Sequence, residues 1–80
     1  MFAIVVISFD NHECEVYDVA YTENQASQML RERVERYIEV NKNNSKVDSV
    51  SLRAQYGSEG VYDENNNIDF RIVEVGKFQF

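Results

Sequence analysis

The feature that most constrains this chain is a run of eight residues near its start, Phe2 to Phe9, which is mostly β-branched or aromatic. Such a run is typical of a strand that is buried on both faces of a sheet. Because the sequence has 80 residues, it provides enough chain for one domain with one small core. We therefore expect a single domain, residues 1–80, with this strand at the centre of its sheet.

The segment after this run predicts a second strand. Polar residues at 10–13 favour a turn, and side chains then alternate in character from Cys14 to Tyr21. The two strands should therefore form a hairpin. A strict alternation places four side chains on one face, namely Cys14, Val16, Asp18 and Ala20.

A helix should follow, because Thr22 and Gln25 have the spacing of a capping box. Apolar residues then recur at intervals of three and four positions, which predicts one buried stripe along the helix. The stripe consists of Ala26, Met29, Leu30, Val34, Tyr37 and Ile38. Asparagines from Asn41 onward end the pattern.

The last third of the chain predicts two more strands. Alternation returns between Val47 and Tyr56 and again between Ile68 and Val75. Between them we expect a long acidic loop, with a short strand at Val61–Tyr62 as the alternative. The expected fold class is α+β: a four-stranded antiparallel sheet of order ββαββ, with one helix packed on one face.

The composition excludes several classes of function. The net charge of −6 argues against direct binding to nucleic acid or to an anionic membrane surface, because both require positive charge. No stretch has the ~18 consecutive apolar residues of a membrane span. A single cysteine, Cys14, cannot form an internal disulfide, which favours a reducing cytoplasm.

The acidic residues are unevenly distributed along the sequence. Nine of them lie in two segments, 10–23 and 57–70, that contain no Lys or Arg, and tyrosines accompany them. Acidic groups beside tyrosines suit a surface that binds a basic, partly apolar partner protein. The predicted partner-binding residues are Asp10, Glu13, Glu15, Tyr17, Asp18, Glu59, Tyr62, Asp63, Glu64 and Asp69. The alternative interpretation is that these acidic segments only keep a small protein soluble.

Residue types that support catalysis or metal binding do not form a complete set. His12 and Cys14 have no third partner for nucleophilic chemistry, so we expect neither an enzyme nor a bound cofactor. The stretch from Asp63 to Glu74 resembles a calcium-binding EF-hand loop, but Ile68 occupies the position where that loop requires glycine. We therefore favour a structural loop here over a calcium site.

One helix leaves the other face of the sheet uncovered. The large apolar residues expected there are too numerous to remain in water on so small a domain. They are Tyr17, Val19, Tyr21, Val73, Phe78 and Phe80. We expect a homodimer to cover them.

In size, acidity, asparagine-rich loops and lack of catalytic residues, the chain resembles the small acidic proteins with which bacteriophages disable host machinery. That resemblance implies a non-enzymatic inhibitor that imitates the charge of DNA and occludes the basic DNA-binding surface of a host protein, such as a nucleoid protein or a nuclease. The alternative function is a structural or assembly module that acts through homodimerisation and contacts made by its sheet.

Overall fold

A computed structural model describes residues 1–76 of this chain. The elements are β1 (Phe2–Ser8), β2 (Glu13–Ala20), α1 (Glu23–Val40), α2 (Ser49–Arg53), β3 (Gly60–Asp63) and β4 (Ile68–Glu74). The four strands form one antiparallel sheet in the order β2-β1-β4-β3. The predicted α+β class is therefore confirmed, and β1 occupies an inner position as expected.

The helix α1 begins and packs as its sequence predicts. The Thr22 hydroxyl accepts a hydrogen bond from the Gln25 amide, and the Gln25 side chain accepts one from the Tyr21 amide. Satisfying these amides, which have no partner within the helix, fixes its start. The buried residues of α1 are Ala26, Leu30, Val34 and Ile38, with Met29 and Tyr37 packed beside them.

The side chains of α1 pack on one face of the sheet, which we call the helix face. Alternation along the strands directs Ile4, Phe70 and Val61 towards α1, and all three are almost completely buried. Leu52 of α2 joins the same core. We call the opposite side of the sheet the open face, because none of the described elements covers it. Its apolar side chains are Ala3, Val5, Ile7, Val16, Val19 and Val73.

The prediction of a third strand between Val47 and Tyr56 was wrong. Residues 49–53 form the short helix α2, because Asp48 caps it by accepting hydrogen bonds from the amides of Val50 and Ser51. The third strand of the sheet is β3, which lies where we had favoured a long loop. Its outer edge at Tyr62 is occupied by the Gln55 side chain, which exchanges two hydrogen bonds of 2.9 Å with the Tyr62 backbone.

The strict alternation predicted for β2 was also wrong. A bulge places Tyr17 as an extra residue, since Asp18 pairs with Ile4 while Val16 pairs with Val5. The bulge moves Cys14 and Val16 to the open face, although Ala20 and Asp18 remain on the helix face. Of the apolar residues expected opposite the helix, Val19 and Val73 lie on the open face, whereas Tyr17 lies on the helix side. Phe78 and Phe80 lie outside the described residues.

Candidate functional site

Two turns from different parts of the sequence meet at one end of the sheet. The Phe9 amide donates to the Asn67 carbonyl at 3.1 Å, and the Asn67 side-chain amide donates to Asp10 at 3.1 Å. The Tyr62 hydroxyl donates to the Asn67 side-chain oxygen at 2.6 Å. Asn67 adopts a left-handed backbone conformation, with φ of 55°, that asparagine tolerates better than most residues. The turn after β1 and the turn before β4 therefore form one connected surface.

This surface carries three exposed carboxylates, Asp10, Glu13 and Glu64, and we call these residues the acidic turn end. The helix α1 runs towards the same end, since Val40 and Asn41 line a groove there with Asn11. The last turn of α1 contains no basic residue, so its backbone dipole adds partial negative charge. Lys42 and Lys46 follow α1 in the loop, and the Lys46 carbonyl accepts a 3.0 Å hydrogen bond from the Asn66 side chain in the turn before β4. This end of the molecule therefore combines three carboxylates and a helix terminus with two lysines.

Two exposed aromatic rings lie beside the acidic turn end. Phe9 and Tyr62 make an edge-to-face contact with ring centroids 6.5 Å apart, and each ring is nearly half exposed. Sequence reasoning included Tyr62 but missed Phe9, because Phe9 ends a run that was read as wholly buried. The polar turn directly after Phe9 is the signal that could have identified it as an exposed strand end.

Asp63, which was expected in water, is buried. Its carboxylate accepts a 2.6 Å hydrogen bond from the Tyr37 hydroxyl and further bonds from the backbone and side-chain amides of Asn66. Burial, together with the hydrogen bond to the Asp63 carboxylate, raises the pKa of Tyr37 well above its usual value. Asp63 therefore ties the turn before β4 to α1 and is not available to a partner protein.

Asp69 is also buried, on the open face, and forms an ion pair with Arg71. The Arg71 Nε donates to Asp69 Oδ2 at 2.8 Å, and this hydrogen bond raises the pKa of Arg71. The second oxygen of Asp69, Oδ1, is buried and has no hydrogen-bond partner. Because Arg71 balances its charge, Asp69 adds no net charge to the surface.

The remaining predicted acids on β2 face basic residues across a groove. Glu15, Tyr17 and Glu13 line one side of this groove of about 360 Å³, and Arg33 and Arg36 of α1 line the other. The Arg33 guanidinium lies 4.2 Å from the centroid of the Tyr17 ring. A hydrogen bond to Glu15 raises the pKa of Tyr17.

Asp18 lines a smaller groove with the same two arginines, Arg33 and Arg36. The sequence pattern did not predict that Arg33 and Arg36 lie near these acids, because the fold brings α1 alongside β2 from another part of the chain. The acids of β2 are therefore partly balanced, although no basic residue is near them in the sequence.

Glu59 lies at the end of the sheet opposite the acidic turn end. It borders a groove of about 340 Å³ together with Glu23 and Glu74. The ten predicted partner-binding residues therefore do not form one surface. The structure brings Asp10, Glu13, Glu64 and Tyr62 together and separates Glu59 from them. It places Glu13, Glu15, Tyr17 and Asp18 in grooves that they share with arginines, and it buries Asp63 and Asp69.

The stretch 63–74, which resembles a calcium-binding loop in sequence, does not bring its ligand positions around a common site. Its first residue, Asp63, ends β3, and its twelfth residue, Glu74, ends β4. Strand β4 separates these two ends by ~20 Å at about 3.3 Å per residue. Within residues 1–76, no three side chains of the types His, Cys, Asp and Glu are grouped to hold a metal ion.

No protein-family model matches this chain, and neither a curated protein nor a solved structure matches it. Among the helices of residues 1–76, none has the length and apolar character needed to cross a membrane.

Proposed function

We propose that this chain is a non-enzymatic binding protein that docks its acidic turn end onto the basic DNA-binding surface of another protein and thereby excludes DNA. The observation that supports this proposal most directly is the meeting of Asp10, Glu13 and Glu64 with the C-terminal end of α1. A basic groove that binds phosphates attracts a fixed array of carboxylates by the same electrostatic force. The mechanism is competitive occlusion in the cytoplasm, in the manner of the small phage-encoded inhibitors that the chain resembles.

The rings of Phe9 and Tyr62 supply the apolar part of this contact. Carboxylates alone provide rapid, salt-sensitive association, whereas buried aromatic rings slow dissociation. Both rings lie directly beside the acidic turn end and are exposed. The proposed contact is therefore smaller than the set of residues predicted from sequence, and it includes Phe9.

The test uses two charge-reversal variants with the same change in net charge. The first carries Glu13→Lys and Glu64→Lys, and the control carries Glu32→Lys in the middle of α1 and Glu59→Lys at the opposite end of the sheet. All four side chains are exposed, so each substitution is expected to cost within ~0.5 kcal/mol of folding free energy. The partner is first captured from a bacterial lysate on the wild-type chain and identified by mass spectrometry.

Displacement of labelled DNA from the purified partner then decides the proposal. We expect the wild-type chain and the Glu32/Glu59 control to displace DNA, and the Glu13/Glu64 variant to require at least about tenfold more protein. Displacement should also weaken as ionic strength rises. An acidic partner, displacement that is indifferent to salt, or equal activity of the two variants would contradict the proposal.

A further inference from the structure

The open face of the sheet carries exposed apolar side chains around a less accessible centre, where Ala3 is 6% and Val5 is 7% exposed. Ten large apolar side chains of residues 1–76 are more than about a third exposed. Five of them lie on this face, namely Phe9, Val16, Val19, Tyr62 and Val73. Such a concentration on one side of a small domain marks a contact surface.

We propose that this face is the interface of a homodimer, in which the sheets of two copies pack against each other with α1 on the outside of each. This inference goes beyond the proposed function and is tested without it. Because both contacts use Phe9 and Tyr62, the partner protein and a second copy compete for these two rings. Two sheets packed in this way lie ~10 Å apart, and the valines of each fill the space between them.

The charge of the open face identifies a second copy as its occupant. The charged residues on the face, Asp69 and Arg71, neutralise each other at 2.8 Å, although the chain as a whole carries −6. A basic partner would gain nothing from a neutral surface. Two acidic copies, in contrast, repel each other unless they meet where the net charge is zero.

The size of the face sets the expected strength of association. Four strands about 4.8 Å apart and ~20 Å long give a face of ~400 Å² in projection. Its accessible area is larger, because the side chains protrude, but it falls at the lower end of specific interfaces. We therefore expect a weak dimer, with a dissociation constant of tens of micromolar.

Sedimentation equilibrium over about 1 to 100 µM protein tests this proposal. We expect the wild-type mass to rise from 9.4 kDa towards twice that value as the concentration increases. Val16→Lys on the open face should weaken dimerisation at least about tenfold. The matched control is Val50→Lys on α2, because Val50 is similarly exposed, at 76% against 63% for Val16.

Three results would overturn the proposal. The first is a wild-type chain that remains monomeric throughout the concentration series, a measurement that requires no variant. The second is an equal effect of the Val16 and Val50 substitutions. The third is dimerisation only after residues 77–80 are deleted, since the chain itself would then be covering the face. Circular dichroism of each variant verifies that it is folded.

Discussion

The two faces of the sheet are built from the same four strands but differ in how they are completed. On the helix face, Ile4, Val61 and Phe70 are nearly inaccessible to water, because α1 and α2 cover them. On the open face, Val16 is 63% exposed and Val73 is 37% exposed. A chain of 80 residues can supply apolar side chains to both faces of a sheet, but one long helix covers only one of them.

The largest expected difference between the two faces is in the free energy of unfolding that is lost when a side chain is truncated to alanine. Phe70→Ala should lower the free energy of unfolding by about 3–5 kcal/mol, because it leaves a cavity beside the Tyr37 ring in the only core of the described chain. A loss of this size is comparable to the total stability of a small domain.

Val73→Ala on the open face is the matched substitution. At low protein concentration, where the monomer dominates, its cost should stay below about 1 kcal/mol. Urea denaturation of both variants measures the difference. Similar costs for the two would show that the open face is already a packed core in the monomer.

The two buried carboxylates, Asp63 and Asp69, should also differ in how much each contributes to the free energy of unfolding. Asp63→Ala leaves the Tyr37 hydroxyl and the Asn66 amide without their acceptor, which should cost about 1–3 kcal/mol. Asp69→Ala removes an oxygen that already lacks a partner, so its cost to the monomer should be smaller. Denaturant unfolding at low concentration measures both. An equal cost would contradict the assignment of Asp63 as the structural member of the pair.

The raised pKa of Tyr37 makes the stability of the Tyr37–Asp63 contact depend on pH in the alkaline range. A tyrosine whose pKa is higher in the folded state contributes stability that is fully present below about pH 10 and is lost as the pH rises further. Unfolding free energy should therefore decrease above pH 10 in the wild type. Tyr37→Phe should reduce that decrease, although Tyr56, whose pKa is raised to about 12, retains part of it.

A smaller effect on stability is expected at the contact between α1 and the segment of α2, which Glu35 makes with Arg53 and Tyr56. Glu35 accepts two hydrogen bonds of 2.8 Å from Arg53 and one from the Tyr56 hydroxyl, which together lower its pKa to about 2. A lowered pKa contributes stability that is present above pH 4.5 and is lost as the pH falls through about 2.

Glu35→Gln should therefore cost about 1 kcal/mol or less at pH 7, because solvent screens this exposed pair. The cost should disappear as the pH falls towards 2. The matched control is Glu39→Gln, whose ion pair with Lys42 is more exposed. If Glu35→Gln and Glu39→Gln respond alike to acid, the lowered pKa of Glu35 has no role in stability.

The smallest expected effect uses the native cysteine as a reporter. Cys14 is exposed and lies opposite Ile7 at the margin of the open face. Its rate of alkylation by a maleimide should fall severalfold as the wild-type chain dimerises. Val16→Lys should keep the rate independent of protein concentration, and Val50→Lys should not.

The sequence predicted the helix face better than it predicted the open face or the candidate site. The stripe of α1 and the apolar strand β1 are local patterns, so their burial follows from spacing alone. The third strand was missed because Asp48 is a helix cap whose effect outweighs the alternation after it. Val61–Tyr62 forms a strand because it pairs with β4, and the Gln55 side chain occupies its outer edge. Spacing in the sequence shows neither contact.

The candidate site was only partly predictable for a similar reason. Exposure of Asp10 and Glu64 follows from their positions in polar turns, and the structure bears this out. Burial of Asp63 depends on Tyr37, which lies 26 residues earlier in the sequence. The arginines opposite Glu15 and Asp18 likewise come from α1, so the charge of β2 could not be read from β2 alone.

The most direct test of the difference between the faces is methyl NMR of the valines with a soluble paramagnetic probe, at micromolar and at millimolar protein concentration. Val34, which is fully buried, and Val50, which is exposed, set the two limits of probe-induced relaxation. In the dilute sample we expect the methyl groups of Val16, which is 63% exposed, to behave like those of Val50, and those of Val73, which is 37% exposed, to lie between the two limits. In the concentrated sample both should approach Val34. Relaxation of Val16 and Val73 that does not change between the two concentrations would show that a second copy does not cover the open face.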